Sequence, residues 1–448
     1  MSRLFIRGGL VSDPGQGLDG VPRTLVIEAG RISAIIEGAG EPALRPGQQI
    51  ADEAIDARGL WVLPGLIDLH THLREPGEEH KETFQSGGQA AVAGGFTTIL
   101  AMANTQPATD SSARVAWVRD RSATQSPARV FTVGAVTVGL LGDTLTDADS
   151  LASAGAVALS DDGRPLLNAA LVRRALEQAR DVGLPLLAHE EELSLVGKGC
   201  MHEGATATRL GLAGVPGVAE EVMVRRDLAL VELTGARLHL QHLSTAGALR
   251  ALREAKARGL PVTAEAAPHH FTLTDQSVGC YDTNAKMNPP LRSERDRAAV
   301  QAALADGTLD AIATDHAPHG PIEKDTVFEA AANGVVGLET AFALGLALVE
   351  AGVLTRQRLI ALFTSGPAAV IPAFGDLGTL RVGARADVTL VDPTERWVVD
   401  PAAFRSRSRN TPFRGRALTG RVIATLVGGV VVFSRREPLA SGLHVAGD

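Results

Sequence analysis

The feature that most constrains the fold is a series of eight apolar, strand-like runs, with helix-compatible segments between most of them. Eight β/α units within roughly 300 residues are typical of a closed (β/α)8 barrel. A doubly wound parallel sheet is the alternative, but it gives no reason for the series to stop at eight. We therefore predict an α/β fold with a TIM-like barrel, built on the runs 66–70, 96–104, 130–136, 156–162, 186–189, 237–242, 262–265 and 311–315.

Both ends of the chain differ from this middle, because short strand-like runs punctuated by Gly and Pro make up most of each end. Two β-rich ends around a long middle favour one small β-sandwich assembled from both termini. We expect this composite domain to comprise residues 1–61 and 375–434. The catalytic barrel domain would then comprise residues 62–374, and a C-terminal tail residues 435–448.

Composition and charge exclude several classes of protein. The chain has 43 Lys+Arg against 51 Asp+Glu, a formal net charge of -8, which argues against nucleic-acid or anionic-membrane binding. Its start lacks the apolar stretch of a signal peptide, and the apolar run 422–433 is shorter than the ~18 residues that a spanning helix needs. Cys200 and Cys280 form neither a disulfide framework nor a zinc knuckle. We expect a soluble, cytoplasmic protein.

Polar residues end several of the predicted barrel strands. His70 and His72 end the first run, His189 the fifth, His242 the sixth and Asp315 the eighth. The carboxyl ends of barrel strands meet at one face, so these side chains should converge there. Imidazoles and carboxylates in this number are a ligand set suited to zinc or a similar divalent metal.

A second metal would need a bridging ligand. A carbamylated lysine is one such bridge, but the chain has no lysine between Lys81 and Lys198. The fourth run instead ends in two aspartates, Asp161 and Asp162. Either carboxylate could join two metals through its two oxygens, and either could instead form a turn or a helix cap.

The predicted site suits the hydrolysis of an amide, imide or ester. Water bound to such a metal loses a proton near neutral pH and becomes a nucleophile. The Asp315 carboxylate could accept that proton and return it to a leaving nitrogen. Arg74 follows His72 by two residues, Asn104 ends the second run, and His319 follows Asp315 by four residues. A guanidinium with an amide and an imidazole suits an anionic substrate.

The motifs that carry these residues resemble those of the amidohydrolase superfamily, and specifically of class I dihydroorotases. The resemblance covers nearly the whole chain in order, and the set is far more specific than any one motif. The matching segments are 64–77 (PGLIDLHTHLREPG), 102–107 (MANTQP), 160–163 (SDDG), 189–191 (HEE), 242–245 (HLST), 286–292 (KMNPPLR), 313–319 (ATDHAPH) and 337–340 (GLET).

The resemblance implies a metal centre of two zinc ions per subunit, bridged by a hydroxide and by Asp162 rather than Asp161. Asp315 would be both a metal ligand and the general acid/base. One ion would be held by His70, His72 and Asp315, and the other by His189 and His242.

The resemblance also implies how the substrate is bound. Its carboxylate would be held by Arg74, Asn104 and His319. Asn288 would contact the pyrimidine ring, helped by backbone groups near Asn333 and Gly334. The chain departs from the family pattern at Asn333, where relatives tend to have an apolar or aromatic residue.

The implied reaction is the reversible cyclisation of N-carbamoyl-L-aspartate to L-dihydroorotate, the third step of de novo pyrimidine synthesis. In the hydrolytic direction hydroxide attacks the ring amide and Asp315 protonates the leaving nitrogen. Cyclisation needs Asp315 protonated at the start, so we expect it to be favoured at lower pH. A homodimer is the expected assembly.

Two alternatives remain. Another cyclic amidohydrolase, such as a dihydropyrimidinase, hydantoinase or allantoinase, would share His70 and His72. Such enzymes usually need the bridging lysine, and their usual substrates lack the carboxylate that Arg74 would bind. An inactive relative that scaffolds aspartate carbamoyltransferase would have lost metal ligands, which are all present here. An active enzyme that also docks on that transferase is compatible with the sequence.

Overall fold

A computed structural model describes residues 3–38 and 53–436, together with the backbone of Ala440–Gly442. Residues 39–52 of the predicted sandwich lie outside the described residues, as does most of the predicted tail 435–448. The strands are β1 (Arg3–Asp13), β2 (Leu18–Glu28), β3 (Arg31–Glu37), β4 (Glu53–Asp56), β5 (Trp61–Pro64), β6 (Leu66–Thr71), β7 (Phe96–Ala101), β8 (Arg129–Gly134), β9 (Ala156–Leu159), β10 (Leu186–Ala188), β11 (Met201–His202), β12 (Gly214–Val215), β13 (Leu238–Leu240), β14 (Val262–Ala266), β15 (Ala311–Ile312), β16 (Val388–Val398), β17 (Ala417–Val427), β18 (Val430–Ser434) and β19 (Ala440–Gly442).

Helices follow most of the barrel strands, as the alternating pattern predicts. In α4, buried Leu171, Val172, Ala175, Leu176 and Ala179 form one apolar stripe. The helices are α1 (Phe84–Ala93), α2 (Ser112–Gln125), α3 (Ala148–Ala154), α4 (Ala169–Asp181), α5 (Leu193–Val196), α6 (Ala205–Leu210), α7 (Val218–Thr234), α8 (Ala246–Ala257), α9 (Pro268–Thr272), α10 (Glu294–Asp306), α11 (Pro321–Lys324), α12 (Ala341–Glu350), α13 (Arg356–Phe363) and α14 (Ser365–Val370).

Eight parallel strands form the barrel, in the order β6-β7-β8-β9-β10-β13-β14-β15. The ring nearly closes between its first and last strands, where Thr71 forms a parallel bridge with His316. The backbone N–H of His72 donates to the carbonyl oxygen of His316 there over 2.8 Å. The predicted barrel is confirmed.

A second sheet combines strands from both ends of the chain, as predicted. Its main path is β18-β17-β16-β5-β1-β2-β3, with β4 paired to β1 and β19 paired to β4. Most of its pairs are antiparallel, but β1 is parallel to both β4 and β5. Strand β5 joins the two ends, because it pairs with β1 on one side and β16 on the other. The domain boundaries at residues 61 and 375 stay a prediction.

The interior of the barrel is filled with apolar side chains at one end. Ile67, Leu100 and Leu187 from the strands pack in one buried cluster with Ile371 and Phe374 from the segment after α14. This packing leaves the carboxyl ends of the strands as the open face, where a site can form. In the described parts of the chain, no helix has the length and apolar character needed to cross a membrane.

Candidate active site and metal centre

The structure brings all six predicted metal ligands to the carboxyl ends of the barrel strands. Parallel strands end at the same rim, so residues far apart in the chain become neighbours there. Each ligand lies near the carboxyl end of a strand, either in the strand or within three residues after it. They are His70 and His72 at β6, Asp162 after β9, His189 after β10, His242 after β13 and Asp315 after β15.

Asp162 lies at the centre of this group. Its Oδ1 is 3.3 Å from Nε2 of His70. The same oxygen is 3.7 Å from Nδ1 of His189 and 3.6 Å from Nε2 of His242. Its Oδ2 lies 3.5 Å from Nε2 of His72. These residues form two buried groups able to hold a metal, one with His70 and His72 and one with His189 and His242, and Asp162 belongs to both.

Asp315 stands beside the first of these groups. Its Oδ1 lies 3.3 Å from Nε2 of His72 and 3.6 Å from Nε2 of His70. Burial raises the pKa of Asp315, but the imidazoles of His72, His70 and His242 outweigh it and hold the pKa below its usual range. The carboxylate is therefore ionised at neutral pH, in the form that accepts a proton.

Hydrogen bonds turn the first two imidazoles toward Asp162. Nδ1 of His70 donates to Oε1 of Glu265 over 3.0 Å, and Nδ1 of His72 donates to Oδ1 of Asn104 over 2.9 Å. The Nε2 lone pairs are then free to face the cluster. Within the described part of the chain, Nε2 of His70 and Oδ1 of Asp162 are buried without a hydrogen-bond partner. Buried lone pairs that converge without a partner fit a bound divalent metal.

The second group has the same character. Nδ1 of His189 and Nε2 of His242 are 3.0 Å apart, and Nε2 of His189 lies 3.4 Å from Oε2 of Glu191. A proton on the nitrogen that faces Glu191 leaves Nδ1 of His189 as a lone-pair donor. Two imidazole nitrogens this close, both facing the Asp162 carboxylate, suit a cation that both can bind.

Three of the six non-glycine residues with positive φ in the described part of the chain are candidate site residues. Arg74, His242 and Asp315 adopt φ values of 58°, 33° and 48°. Residues other than glycine rarely adopt a positive φ, which costs on the order of 1–3 kcal/mol for each residue. The surrounding packing holds these residues in conformations that aim their side chains at the site.

A cavity of about 200 Å³ opens above the ligands. Every predicted site residue lines it except His70, which lies fully buried with its ring centroid 5.1 Å from that of His242. The predicted substrate-binding residues therefore do meet the predicted ligands at one place. A neighbouring cavity of about 300 Å³ shares Asn288 and Asn333 with it and is also lined by Lys198 and Cys200.

Arg74 supplies the positive charge of this cavity. Its Nε donates to the carbonyl oxygen of Pro318 over 3.2 Å, and one terminal nitrogen lies 3.2 Å from Nε2 of His319. Burial, followed by the charges of Arg74 and Lys81, lowers the pKa of His319 to about 2. His319 is therefore neutral, and its Nε2 lies 2.8 Å from the carbonyl oxygen of Asn333.

Steric contacts require glycine at position 334. Its φ is 134°, and a Cβ atom there would lie 2.6 Å from Cβ of Ala317. Only glycine therefore lets the 333–334 backbone approach the 317–319 segment this closely. Asn288 also lines the cavity, and its Nδ2 donates to Oε2 of Glu191 over 3.0 Å.

The structure gives Asn104 a further contact and adds two acids, Glu265 and Glu191, that the sequence analysis did not single out. Asn104 was assigned to the substrate, yet it bonds to His72, and its Nδ2 also lies 3.3 Å from the carbonyl oxygen and Oδ2 of Asp162. Glu265 and Glu191 bond to metal-ligand candidates. Both acids stand in segments already noted, because Glu265 ends the seventh run and Glu191 follows His189 in its motif. These positions were the signal that could have identified them.

Comparison with known proteins agrees with this geometry. A family model described as Dihydro-orotase-like matches residues 59–248. Among curated proteins, the dihydroorotase of Anaeromyxobacter dehalogenans is 57% identical over 96% of this chain and 97% of its own length. The dihydroorotase of Geotalea daltonii is 50% identical over 96% of this chain and 99% of its own length.

Solved structures extend the likeness to the fold. The L-hydantoinase (dihydropyrimidinase) of Arthrobacter aurescens superposes with a TM-score of 0.86 at 23% identity, covering 97% of this chain and 96% of its own. The dihydropyrimidinase of Brevibacillus agri gives a TM-score of 0.81 at 22% identity, with 96% and 95% covered. At this identity the likeness shows the shared architecture alone. The high identity over almost the full length of curated relatives goes further, and the chain belongs to the dihydroorotase family.

Proposed function

We propose that this protein catalyses the reversible cyclisation of N-carbamoyl-L-aspartate to L-dihydroorotate with release of water, within pyrimidine biosynthesis. The observation that carries the proposal is the meeting of Arg74 with the Asp162 and Asp315 carboxylates in one cavity. In such a cavity, the arginine can bind a substrate carboxylate while the aspartates and their metal act on an amide bond of the same substrate. Membership of the dihydroorotase family supports the same reaction.

The metal we propose is zinc, with two ions that share Asp162. His70, His72 and Asp315 would hold one ion, and His189 and His242 the other. When bound, zinc would supply Lewis acidity that activates water and polarises the carbonyl group under attack. The partnerless buried atoms of His70 and Asp162 support this assignment.

Asp315 would move the proton in both directions. During ring opening, its carboxylate accepts a proton from the attacking water and passes it to the ring nitrogen as the C–N bond breaks. During cyclisation, protonated Asp315 gives its proton to the carboxylate oxygen that departs, and it then relays to that oxygen the proton that the nitrogen loses as the C–N bond forms, so that the oxygen leaves as water. The low pKa of the carboxylate supports the first role directly, and cyclisation needs the protonated minority form.

Arg74 and His319 would hold the substrate carboxylate, with Arg74 supplying the charge and the one N–H of neutral His319 turning to the substrate from the carbonyl oxygen of Asn333. A guanidinium offers two parallel donors to a carboxylate, which fixes the orientation of the ring as well as its position. Asn104 would complete this grip from the side of β7. Asn288 and the backbone at Asn333 and Gly334 would contact the ring itself.

The proposed reaction predicts its own dependence on pH. N-carbamoyl-L-aspartate carries two carboxylates and L-dihydroorotate one, so cyclisation takes up one proton for each water released. The equilibrium should therefore shift toward the ring about tenfold for each unit by which the pH falls. Cyclisation should also be faster at lower pH, since it starts from protonated Asp315.

A substrate comparison tests the proposal. L-Dihydroorotate and dihydrouracil share the same ring, but only the former carries the carboxylate. Zinc-loaded protein should open dihydroorotate at a kcat/KM at least 100-fold above that for dihydrouracil, because a desolvated Arg74 without its partner is costly. Equal turnover, or a preference for dihydrouracil or hydantoin, would contradict the proposal and favour the hydantoinase class.

Three further proposals concern the location, the oligomeric state and a partner of the enzyme. We propose a cytoplasmic location, which the mildly acidic composition and the two unpaired cysteines support. A homodimer is proposed on general grounds, and light scattering tests it. Docking on aspartate carbamoyltransferase is proposed from family resemblance, and co-purification of the two proteins tests it.

A further inference from the structure

The connection between β16 and β17 reaches back to the rim of the barrel. Along it exposed and buried residues alternate: Arg405, Arg407 and Arg409 are exposed, whereas Ser406 and Ser408 are buried. A basic run of this kind in an acidic chain is typical of a solvated or interdomain loop. The arginines fit that interpretation, but the alternate side chains bond to the barrel.

Two serines and two acids fix this connection in place. The Ser406 hydroxyl donates to Oε2 of Glu82 over 2.5 Å, and its backbone N–H donates to Oε1 of Glu339 over 3.1 Å. The Ser408 hydroxyl donates to the carbonyl oxygen of Lys81 over 2.8 Å. The anchoring points belong to the segments that follow β6 and β15, on the rim that carries the site.

Asn410 is the next buried residue in this series, and it bonds to the pocket itself. Its Oδ1 accepts from the backbone N–H of His319 over 3.1 Å. Its Nδ2 donates to the carbonyl oxygens of Ala317 and Gly334 over 3.1 and 3.0 Å. Its own carbonyl oxygen accepts from the N–H of Val336 over 2.9 Å. One amide therefore joins two segments of the pocket wall, 317–319 and 334–336.

We propose that Asn410 is a positioning residue, which sets the separation of the His319 and Gly334 segments and so the shape of the pocket wall that meets the substrate. This inference rests on the proposed function. Asn410 lies outside the residues that line the cavity, so it acts through the backbone of those that do. Its removal leaves three buried backbone groups without their partners, which favours displacement of both segments.

The expected kinetic effect is on substrate binding. Asn410 bonds to neither Asp315 nor the histidine cluster, so the chemical step should be largely preserved. We expect Asn410→Ala to raise KM for L-dihydroorotate about tenfold, with kcat changed by less than about threefold and zinc content unchanged. Ser408→Ala is the matched control, because it removes a hydrogen bond of the same connection that does not reach the pocket.

Asn410→Asp gives a second, sharper readout. The carboxylate has the same shape and still accepts from His319, but its second oxygen would face the carbonyl oxygens of Ala317 and Gly334. At lower pH the protonated acid can donate to one of them. The KM of this variant relative to wild type should therefore fall as the pH falls, whereas the ratio for Asn410→Ala should stay constant.

Hydrogen exchange separates this inference from the proposed function. Peptides that cover residues 317–319 and 334–336 should exchange about tenfold faster in Asn410→Ala than in wild type, and Ser408→Ala should leave them unchanged. This readout needs no substrate, whereas absent turnover of dihydroorotate by wild type would count against the proposed function alone. Unchanged exchange, an unchanged KM in both Asn410 variants, or an equal effect of Ser408→Ala would overturn the positioning role. Failure of both Asn410 variants to fold would overturn it too, because the residue would then serve folding.

Discussion

The Nδ1 atom of His72 donates a hydrogen bond to Oδ1 of Asn104 over 2.9 Å, across the neighbouring strands β6 and β7. The Nδ2 atom of the same Asn104 amide lies 3.3 Å from Oδ2 of Asp162. Asn104 thus fixes the proton of His72 on the nitrogen that points away from the cluster. It also links a ligand of one proposed metal to the carboxylate that would serve both.

Removal of the Asn104 amide should weaken metal binding, an effect that can be measured without substrate. Asn104→Ala leaves His72 free to rotate and to carry its proton on the nitrogen that faces Asp162. Loss of such a partner typically costs about 10–100-fold in metal affinity, which competition with a chelator measures. Asn168→Ala, at the start of α4, is the matched control and should lower stability only. Unchanged zinc affinity in Asn104→Ala would show that the bond is incidental.

Glu265 should slow the dissociation of the same metal through its hydrogen bond with the ligand His70. It accepts from Nδ1 of His70 and Nε2 of His239, each over 3.0 Å. Burial raises the pKa of Glu265, but these bonds outweigh burial and bring it to about 2. Glu265→Gln removes the charge and turns an NH₂ group toward one of the two imidazoles. We expect zinc to dissociate at least tenfold faster, with exposed Glu254→Gln as the control that should not change the rate.

Arg74 should discriminate between substrates rather than drive the chemistry. Arg74→Lys keeps the charge but loses the parallel pair of donors. We expect KM for L-dihydroorotate to rise about 100-fold, while the slow turnover of dihydrouracil stays within about threefold of wild type. Steady-state kinetics on both compounds decide the matter. A parallel loss on both would instead indicate that Arg74 supports the fold of the site.

Glu339 predicts a stability change with pH. Burial raises the pKa of this carboxyl to about 7, despite its bonds from the N–H groups of Ser406 and Arg405. An acid whose pKa is higher in the folded state stabilises the fold at low pH, and that contribution is lost as the pH rises to about 7. The melting temperature of Glu339→Gln minus that of wild type should therefore be larger at pH 8 than at pH 4.5. Exposed Glu350→Gln should give the same difference at both values, and a constant difference for Glu339→Gln would contradict the assignment.

The sequence was sufficient for the barrel and for the meeting of the candidate ligands at one rim, and the reason is geometric. His189, His242 and Asp315 each follow an apolar run, and parallel strands bring such positions to one rim whatever the detail of the loops. The choice between Asp161 and Asp162 was different. Both follow β9, and only the structure shows Asp161 bonded to the backbone N–H groups of Val136 and Thr137 while Asp162 faces the histidines.

The supporting contacts could not be predicted, because they depend on packing between distant segments. Asn410 is 91 residues from His319 in the chain, and nothing in a run of arginines and serines indicates that its last polar residue meets the pocket. His239 lies between two leucines of a buried strand, so it reads as a core position, and the end of a run marks Glu265 without identifying its partners. Their bond across β13 and β14 emerges only when the strands are in register.

The central claim is that one metal-dependent cavity opens and closes the dihydroorotate ring. The most direct measurement is the loss of dihydroorotate absorbance in the ultraviolet, on protein stripped of metal and then titrated with zinc, beside Asp162→Ala and Asp315→Ala treated alike. We predict turnover that follows zinc occupancy and falls at least 1,000-fold in both variants. Turnover independent of zinc, or retained in Asp162→Ala with its zinc content reduced, would contradict the account.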